Sequence, residues 1–270
     1  MNDAKLLLDE GNLTGAVEAA LRLVKTNPTN TTARIFLFEL CCFSGEWERA
    51  EKQLEVIGHQ DAKAAIGTLM FRQNFKAERD RINLFEHNTR PESMMILPGY
   101  VESLLRADDL IREGKTAEAR SMLDAVEEDR PAFQCIVNGE SYSDFRDYND
   151  STMCVFEIFV KDTYVWLPFE QVEKIEFIER KSLRDVFWPQ AKVETVNGTN
   201  GEMFFPSLYV NTWKHSDDKV RLGRSVDWID EGNEIYSGAG SKLFTMDGKD
   251  KAMLDIKTIE FKHDKAGEDL

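Results

Sequence analysis

Residues 33–50 read Ala33-Arg34-Ile35-Phe36-Leu37-Phe38-Glu39-Leu40-Cys41-Cys42-Phe43-Ser44-Gly45-Glu46-Trp47-Glu48-Arg49-Ala50. An apolar segment runs into Gly45. Beyond it, Ala50, Leu54 and Ile57 recur at spacings of three and four, which places them on one face of a helix. Glycine after an apolar helix takes the left-handed backbone conformation that closes it. The stretch therefore predicts two helices joined by a glycine turn, with the small Ala50 letting them approach closely. Outward from here the pattern Gly-x-x-x-x-Ala recurs as Gly11…Ala16, 34 residues earlier, and as Gly114…Ala119, 69 residues later. The first offset is the period of a tetratricopeptide repeat and the second is close to twice it. The unit between them lacks a glycine near Arg79. Its segment Ala62–Phe85 keeps helical spacing in Ile66, Leu69, Met70, Phe75, Ile82 and Leu84, and reads as a degenerate or longer helix pair. Asn27-Pro28 ends the first unit, because proline disfavours helix in the residue before it. Arg90-Pro91 and Leu97-Pro98-Gly99 break the array, and Asp129-Arg130-Pro131 closes it.

From about Phe133 the texture changes to alternation. Val155–Val160 and Tyr164–Leu167, separated by Lys161-Asp162-Thr163, read as a β-hairpin. Val172–Ile178 reads as a strand or short helix. Val193–Val196 ends on the turn dipeptide Asn197-Gly198, and Phe204-Phe205-Pro206 and Leu254–Phe261 add further alternation. A small antiparallel sheet or partly closed barrel is expected, followed by a polar tail, Lys262–Leu270, that frays. The fold class is thus α+β. A helical array resembling tetratricopeptide repeats over residues 1–130 precedes a small antiparallel β-rich domain over 131–270.

Composition narrows the function. Hydrophobic residues are 42% and charged residues 31% of the 270, a globular balance. No run approaches the roughly 18–20 apolar residues of a membrane span. The N-terminus lacks the basic and apolar regions of a secretory signal, so a cytoplasmic location is expected. The four cysteines include the adjacent Cys41 and Cys42, and they read as reduced thiols. His59, His87, His215 and His263 are scattered and show no metal-ligand spacing, so neither metal nor cofactor is expected. With 34 Lys plus Arg against 49 Asp plus Glu the net charge is −15. Such a chain repels phosphate backbones, which excludes nucleic acid as a partner class. The acid excess serves solubility or attracts a basic segment of another protein.

Catalytic signatures are lacking. Gly238-Ala239-Gly240-Ser241-Lys242 has neither the ending nor the following helix of a phosphate loop and reads as a hairpin turn. No Gly-x-Ser-x-Gly elbow occurs. Asp144, Asp147 and Asp150 lack the alternation of a calcium loop and read as a solvated acidic loop. Glu127-Glu128 and Asp217-Asp218 read as exposed faces, and His59 and His87 as helix-end residues. Binding rather than catalysis is expected, because stacked helix pairs offer a concave face to a peptide or helix. Phe36, Phe38, Phe43 and Trp47 are the candidate partner-binding residues on that face, with packing between repeats as their alternative role.

The order of these features resembles one family, the ImpE/SciE proteins, also called TagJ, which are accessory components of bacterial type VI secretion systems. In the first half the resemblance rests on Ala33–Leu40 and Gly45–Ala50. In the second it rests on Trp166-Leu167-Pro168-Phe169-Glu170, Leu183–Pro189, Phe205–Tyr209 and Arg224–Trp228. The stretch Phe145–Asp150 is more polar than the family pattern. The resemblance implies a non-enzymatic cytoplasmic adaptor that binds a helical segment of the sheath small subunit and, through it, couples to the sheath-recycling AAA+ ATPase. A generic peptide-binding scaffold unrelated to secretion is the alternative.

Overall fold

The computed structural model describes residues 1–60 and 65–263. The start of the Ala62–Phe85 segment and most of the polar tail lie outside the described residues. The helices are α1 (Asn2–Asp9), α2 (Leu13–Thr26), α3 (Thr31–Ser44), α4 (Trp47–Gln60), α5 (Ala65–His87), α6 (Gly99–Arg112) and α7 (Thr116–Asp129). Asn12 and Asn30 start α2 and α3 by accepting the amides of Gly15 (2.7 Å) and Ala33 (3.0 Å), satisfying donors that a helix start leaves open.

Three glycines close the three hairpins as their spacing predicts. Gly11, Gly45 and Gly114 have φ of 83°, 71° and 76°. In each turn the next residue's N–H reaches back over the helix end: Asn12 to Leu7, Glu46 to Cys41 and Lys115 to Leu110, at 2.8, 3.0 and 2.8 Å. The expected third pair is instead one helix of 23 residues, α5, which packs on α4 and also runs onto the sheet.

After α7 come β1 (Cys135–Val137), β2 (Glu140–Tyr142), β3 (Arg146–Asp147), β4 (Val155–Val160), β5 (Thr163–Pro168) and β6 (Val172–Phe177). The short helix α8 (Leu183–Phe187), β7 (Gln190–Thr195), β8 (Asn200–Phe204) and the one-turn α9 (Asp218–Arg221) follow. The chain then forms β9 (Val226–Gly232), β10 (Ile235–Gly240), β11 (Leu243–Met246), β12 (Lys249–Ala252) and β13 (Thr258–Phe261). The main sheet has eight antiparallel strands in the order β2-β1-β13-β6-β7-β8-β4-β5. It is accompanied by a three-stranded sheet, β12-β11-β3, and a two-stranded ribbon, β10-β9. The edge at β5 is covered by a single residue of the α5–α6 connection: Glu92 donates to Tyr164 and accepts from Trp166, each at 3.0 Å. That contact blunts an otherwise open edge.

The β4–β5 hairpin, predicted from its alternation, is buried on both faces. Phe156 points into an aromatic cluster with Phe145, Phe169, Phe205, Phe244 and Phe261. Glu157 and Phe159 point the other way, under α5. There Phe75 meets Trp188 edge-on at 5.4 Å and Phe159 meets Trp188 at 6.4 Å. A single hydrophobic cluster consequently runs through both halves.

Three expectations about the second half fail, each for a tertiary reason. Gly238–Gly240 lies in the body of β10, where the Tyr209 ring and the Ser225 carbonyl come too close for any Cβ. The turn there is Asn233-Glu234. Lys242 is buried as an ion-pair partner. Asp147 and Asp150 are likewise buried, so the stretch 144–150 is no solvated loop. Within Leu254–Phe261 only Thr258–Phe261 is strand, because Met253–Asp255 forms a 3₁₀ turn.

The joint between the halves is ionic as well as aromatic. Arg81 of α5 grips Glu157 of β4 with both ends of its guanidinium, at 2.7 and 3.2 Å. It also donates to Glu78 (2.9 Å) and to the Leu208 carbonyl (2.8 Å). Lys242 pairs with Glu157 and stands 3.7 Å from Asp147. Tyr164 donates to Glu157 (2.6 Å), Trp188 to Glu78 (3.1 Å), and Tyr209 to Asp147 (2.8 Å). Burial works against the Glu157 charge, but Arg81 and Lys242 outweigh it and hold its carboxyl down to about 2.

Three stability outcomes follow. A Cβ on Gly45 would sit 2.4 Å from the Trp213 ring, whereas one on Gly114 meets nothing within 4 Å. Both substitutions bear the left-handed penalty of roughly 1 kcal/mol. Denaturant titration should therefore show Gly45→Ala costing clearly more than Gly114→Ala; equal costs would contradict the Trp213 contact. Arg81→Leu strands two buried carboxylates and should cost about 3–5 kcal/mol by the same assay, and a change under about 1 kcal/mol would show the pair to be dispensable.

The third outcome concerns pH. Burial pushes Glu39 of α3 up to about 7, against the opposing Arg184 at 3.2 Å. Folded Glu39 thus holds a proton that the unfolded chain releases, and its contribution weakens as pH rises through the range between its ordinary value and about 7. Glu157 acts oppositely: its contribution is complete above the ordinary carboxylate range and is lost as pH falls towards about 2. Thermal unfolding followed across pH should show a melting temperature that rises from neutral to about pH 5 and collapses in stronger acid. In Glu39→Gln the rise should be smaller, the remainder belonging to Asp108, which burial also pushes up to about 7; an unchanged rise would remove Glu39 as a source.

Candidate functional site

Phe36, Phe38, Phe43 and Trp47 do not form an open face. Phe36, Phe38 and Phe43 are buried and Trp47 is half-buried. Phe38 packs on Phe71 and Phe75 of α5, and Phe43 meets Phe187 of α8 edge-on at 4.9 Å. Trp47 touches both Phe75 and Phe187. The face that a free-standing array would present is thus occupied by α5 and by α8 from the strand-rich half. Phe38, Phe43 and Trp47 belong to the joint, and Phe36 is buried in the core.

The strand-rich half also holds the three glycine turns. Arg224 donates to the Asp9 carbonyl (3.0 Å) and Arg221 to the Ser44 carbonyl (3.3 Å). Asp218 accepts the Thr14 amide (3.0 Å), and Asn233 donates to Thr116 (2.7 Å) at the third turn. Asp217 caps α9 by accepting from Lys219 at 2.8 Å. Asp217 is exposed, as expected of that pair, and half-buried Asp218 adds a structural contact to it.

One open cleft lies where α6 faces the β9–β10 ribbon. It measures about 370 Å³ and is walled by Phe85, Ile111 and Arg112 on the helical side and by Ile229, Glu231 and Ser237 on the ribbon. Asp108, Asn149, Ser151 and Tyr209 form its inner lining, with Glu157 behind them. Asp108 is 7% exposed. Ser151 lies 3.3 Å from one carboxylate oxygen and Arg112 3.5 Å from the other. Arg112 is engaged elsewhere, donating to the Leu84 carbonyl at 2.8 Å and pairing with Asp109. Burial accordingly prevails and pushes Asp108 up to about 7.

The ribbon has a second cleft behind it, of about 440 Å³, lined by Arg120, Arg146, Tyr148, Asp150, Trp228 and Tyr236. Its two arginines are satisfied by Asp124, Glu127 and Asp150. Ile229 and Ser237, paired across the ribbon, face the first cleft, while Trp228 and Tyr236 face the second. No alternation signal in the sequence pointed to either cleft. The single clue was the unusual polarity of Phe145–Asp150, which supplies lining to both.

Cys41, Cys135 and Cys154 are buried thiols that burial pushes up to about 12, which makes them poor nucleophiles. Among the described residues no group of three or more His, Cys, Asp or Glu is placed to hold a metal ion. No described helix is long and apolar enough to cross a membrane.

Comparison with known proteins agrees with this architecture. A tetratricopeptide-repeat model matches residues 7–70, and the model of the ImpE protein family matches residues 139–260. A crystal structure of protein VPA1032 from Vibrio parahaemolyticus superposes with a TM-score of 0.89 at 23% identity, covering 97% of this chain and 98% of that one, and so shares the fold. The type VI secretion system accessory component TagJ of Pseudomonas aeruginosa is 30% identical over 258 residues, 96% of this chain and 90% of that protein. With that likeness extending from the helix hairpins through the sheet, the chain belongs to the ImpE/TagJ family.

Proposed function

We propose that this protein is a non-enzymatic, cytoplasmic accessory component of a bacterial type VI secretion system. In this reading it binds a helical segment of the sheath small subunit and links it to the AAA+ ATPase that recycles the sheath. The observation that carries the reading is the likeness, over nearly its whole length, to a protein named as an accessory component of that system. Two physical features support it. Helix hairpins of this kind commonly serve as platforms for peptides and helices. The net charge of −15 favours a partner whose polar face is basic. Phe38, Phe43 and Trp47 serve binding indirectly in this reading, by packing the array against α5 and α8, with Phe36 in the core, and the contact surface lies on the exposed helix faces and the clefts.

Titration of the purified protein with peptides spanning the sheath small subunit of the same organism, at low and high salt, checks this. Binding is expected for a helical segment, with association slowing as salt rises and affinity changing less. Absence of binding to every segment and to the intact subunit would leave a peptide-binding scaffold without the secretion role.

A further inference from the structure

The first cleft has a chemical bias that the adaptor reading does not use. Its acceptors outnumber its free donors. Asp108 keeps 10% of its side chain open and receives only a weak share of Arg112. The Oδ1 atom of Asn211 is buried in the lining with no hydrogen-bond partner. Glu231, at the rim, has no ion-pair partner among the described residues. The larger donors are committed, which leaves the Ser237 hydroxyl as the free one among the described residues. Tyr209 donates to Asp147, and Arg112 is held by Leu84 and Asp109. The apolar part of the same lining is Phe85, Ile111 and Ile229, the last of them 50% exposed.

An apolar lining shared with unsatisfied acceptors and a partly buried carboxylate matches an alkyl chain that ends in a cation. We propose that the cleft between α6 and the β9–β10 ribbon is a pocket for a lysine side chain of a bound polypeptide, its methylenes against Phe85, Ile111 and Ile229 and its ammonium on Asp108 and Asn211. The proposal rests on the adaptor reading only in drawing the lysine from a polypeptide partner. A volume of about 370 Å³ holds such a side chain together with ordered water. An ammonium ion brings three donors and no acceptor, which is the complement of this lining. It would also relieve the burial that pushes Asp108 up to about 7, since an opposite charge at contact favours the ionised carboxylate. The other cleft is a poorer match, because two cations, Arg120 and Arg146, line it and hold Asp150, leaving only Glu234 without an ion-pair partner among the described residues.

The test uses the full chain, labelled with ¹⁵N, and a probe independent of any sheath peptide: Nα-acetyl-lysine N-methylamide, with the norleucine analogue as control. Saturable amide shifts are expected at Ser151, Asn211 and Gly238, absent with norleucine. In Asp108→Asn, whose neutral side chain suits its burial, affinity should fall by about tenfold, the scale of one charge-assisted hydrogen bond. Glu231→Gln, at the rim, should fall by less and retains a readout if the Asp108 variant does not fold. Shifts scattered away from the cleft, an equal response to norleucine, or undiminished affinity in the folded variants would each overturn the proposal. Because the probe is a single residue, the pocket can fail while sheath peptides still bind, and the reverse also holds.

Discussion

A guanidinium buried under a β-sheet must find carboxylates at bonding distance, and Arg81 finds Glu157 and Glu78 where the helices meet the strands. Removing these charges from water is costly, and their mutual attraction repays it only with good geometry and full hydrogen bonding. Here Tyr164, Trp188, Lys242 and the Leu208 carbonyl supply the remaining contacts. The result constrains α5 in both position and rotation, since a shift of one residue along the helix would carry Arg81 off its partners. Because α5 also continues the array through its packing on α4, the ionic joint sets the relation of hairpins to sheet.

That relation decides what the repeats can do. Helix hairpins stacked in the open bury one face against their neighbours and leave another free for ligands. In this protein the apolar end of α3 is covered by α5 and α8, and the glycine turns are held by the segment from Thr212 to Asn233. Gly45 shows the physical cost of this arrangement. Its backbone needs the left-handed region, and the Trp213 ring takes the space of its missing side chain. One residue type answers both demands. The aromatic residues that would anchor a guest in an open array are here spent on the protein's own second half.

The open clefts lie at the margin, where α6 and α7 face a two-stranded ribbon. The inner edge of the ribbon is satisfied by side chains rather than by another strand. Asn149 accepts the Gly238 amide at 3.2 Å and Thr212 accepts that of Gly240 at 2.9 Å. Its two faces then look onto two clefts of opposite character, one lined by uncommitted acceptors and the other by arginines already paired. The family's accessory role and the acidic charge of the chain are both compatible with a basic guest at the first of these.

Local chemistry determined a good deal without any tertiary information. Glycine at 11, 45 and 114 permits a conformation that other residues resist, so the hairpin turns were legible from spacing alone. The alternation of Val155–Val160 and Tyr164–Leu167 was legible for the same kind of reason, since a strand's period is a local property. The ordered motifs from Ala33 to Trp228 were enough to indicate the family. Burial of charge was not legible, because a carboxylate's fate depends on partners distant in sequence. Glu157 waits for Arg81 and Lys242, and Asp147 for Tyr209 and Lys242, so residues 144–150 read as a solvated loop and Lys242 as part of a turn. Phe36, Phe38 and Phe43 looked alike as core or as binding face, since an apolar side chain carries no mark of what will cover it. For Phe38 and Phe43 only the docking of α5 and α8 settled that, and the cleft at Asp108 likewise exists only because α6 and the ribbon, distant in sequence, come together.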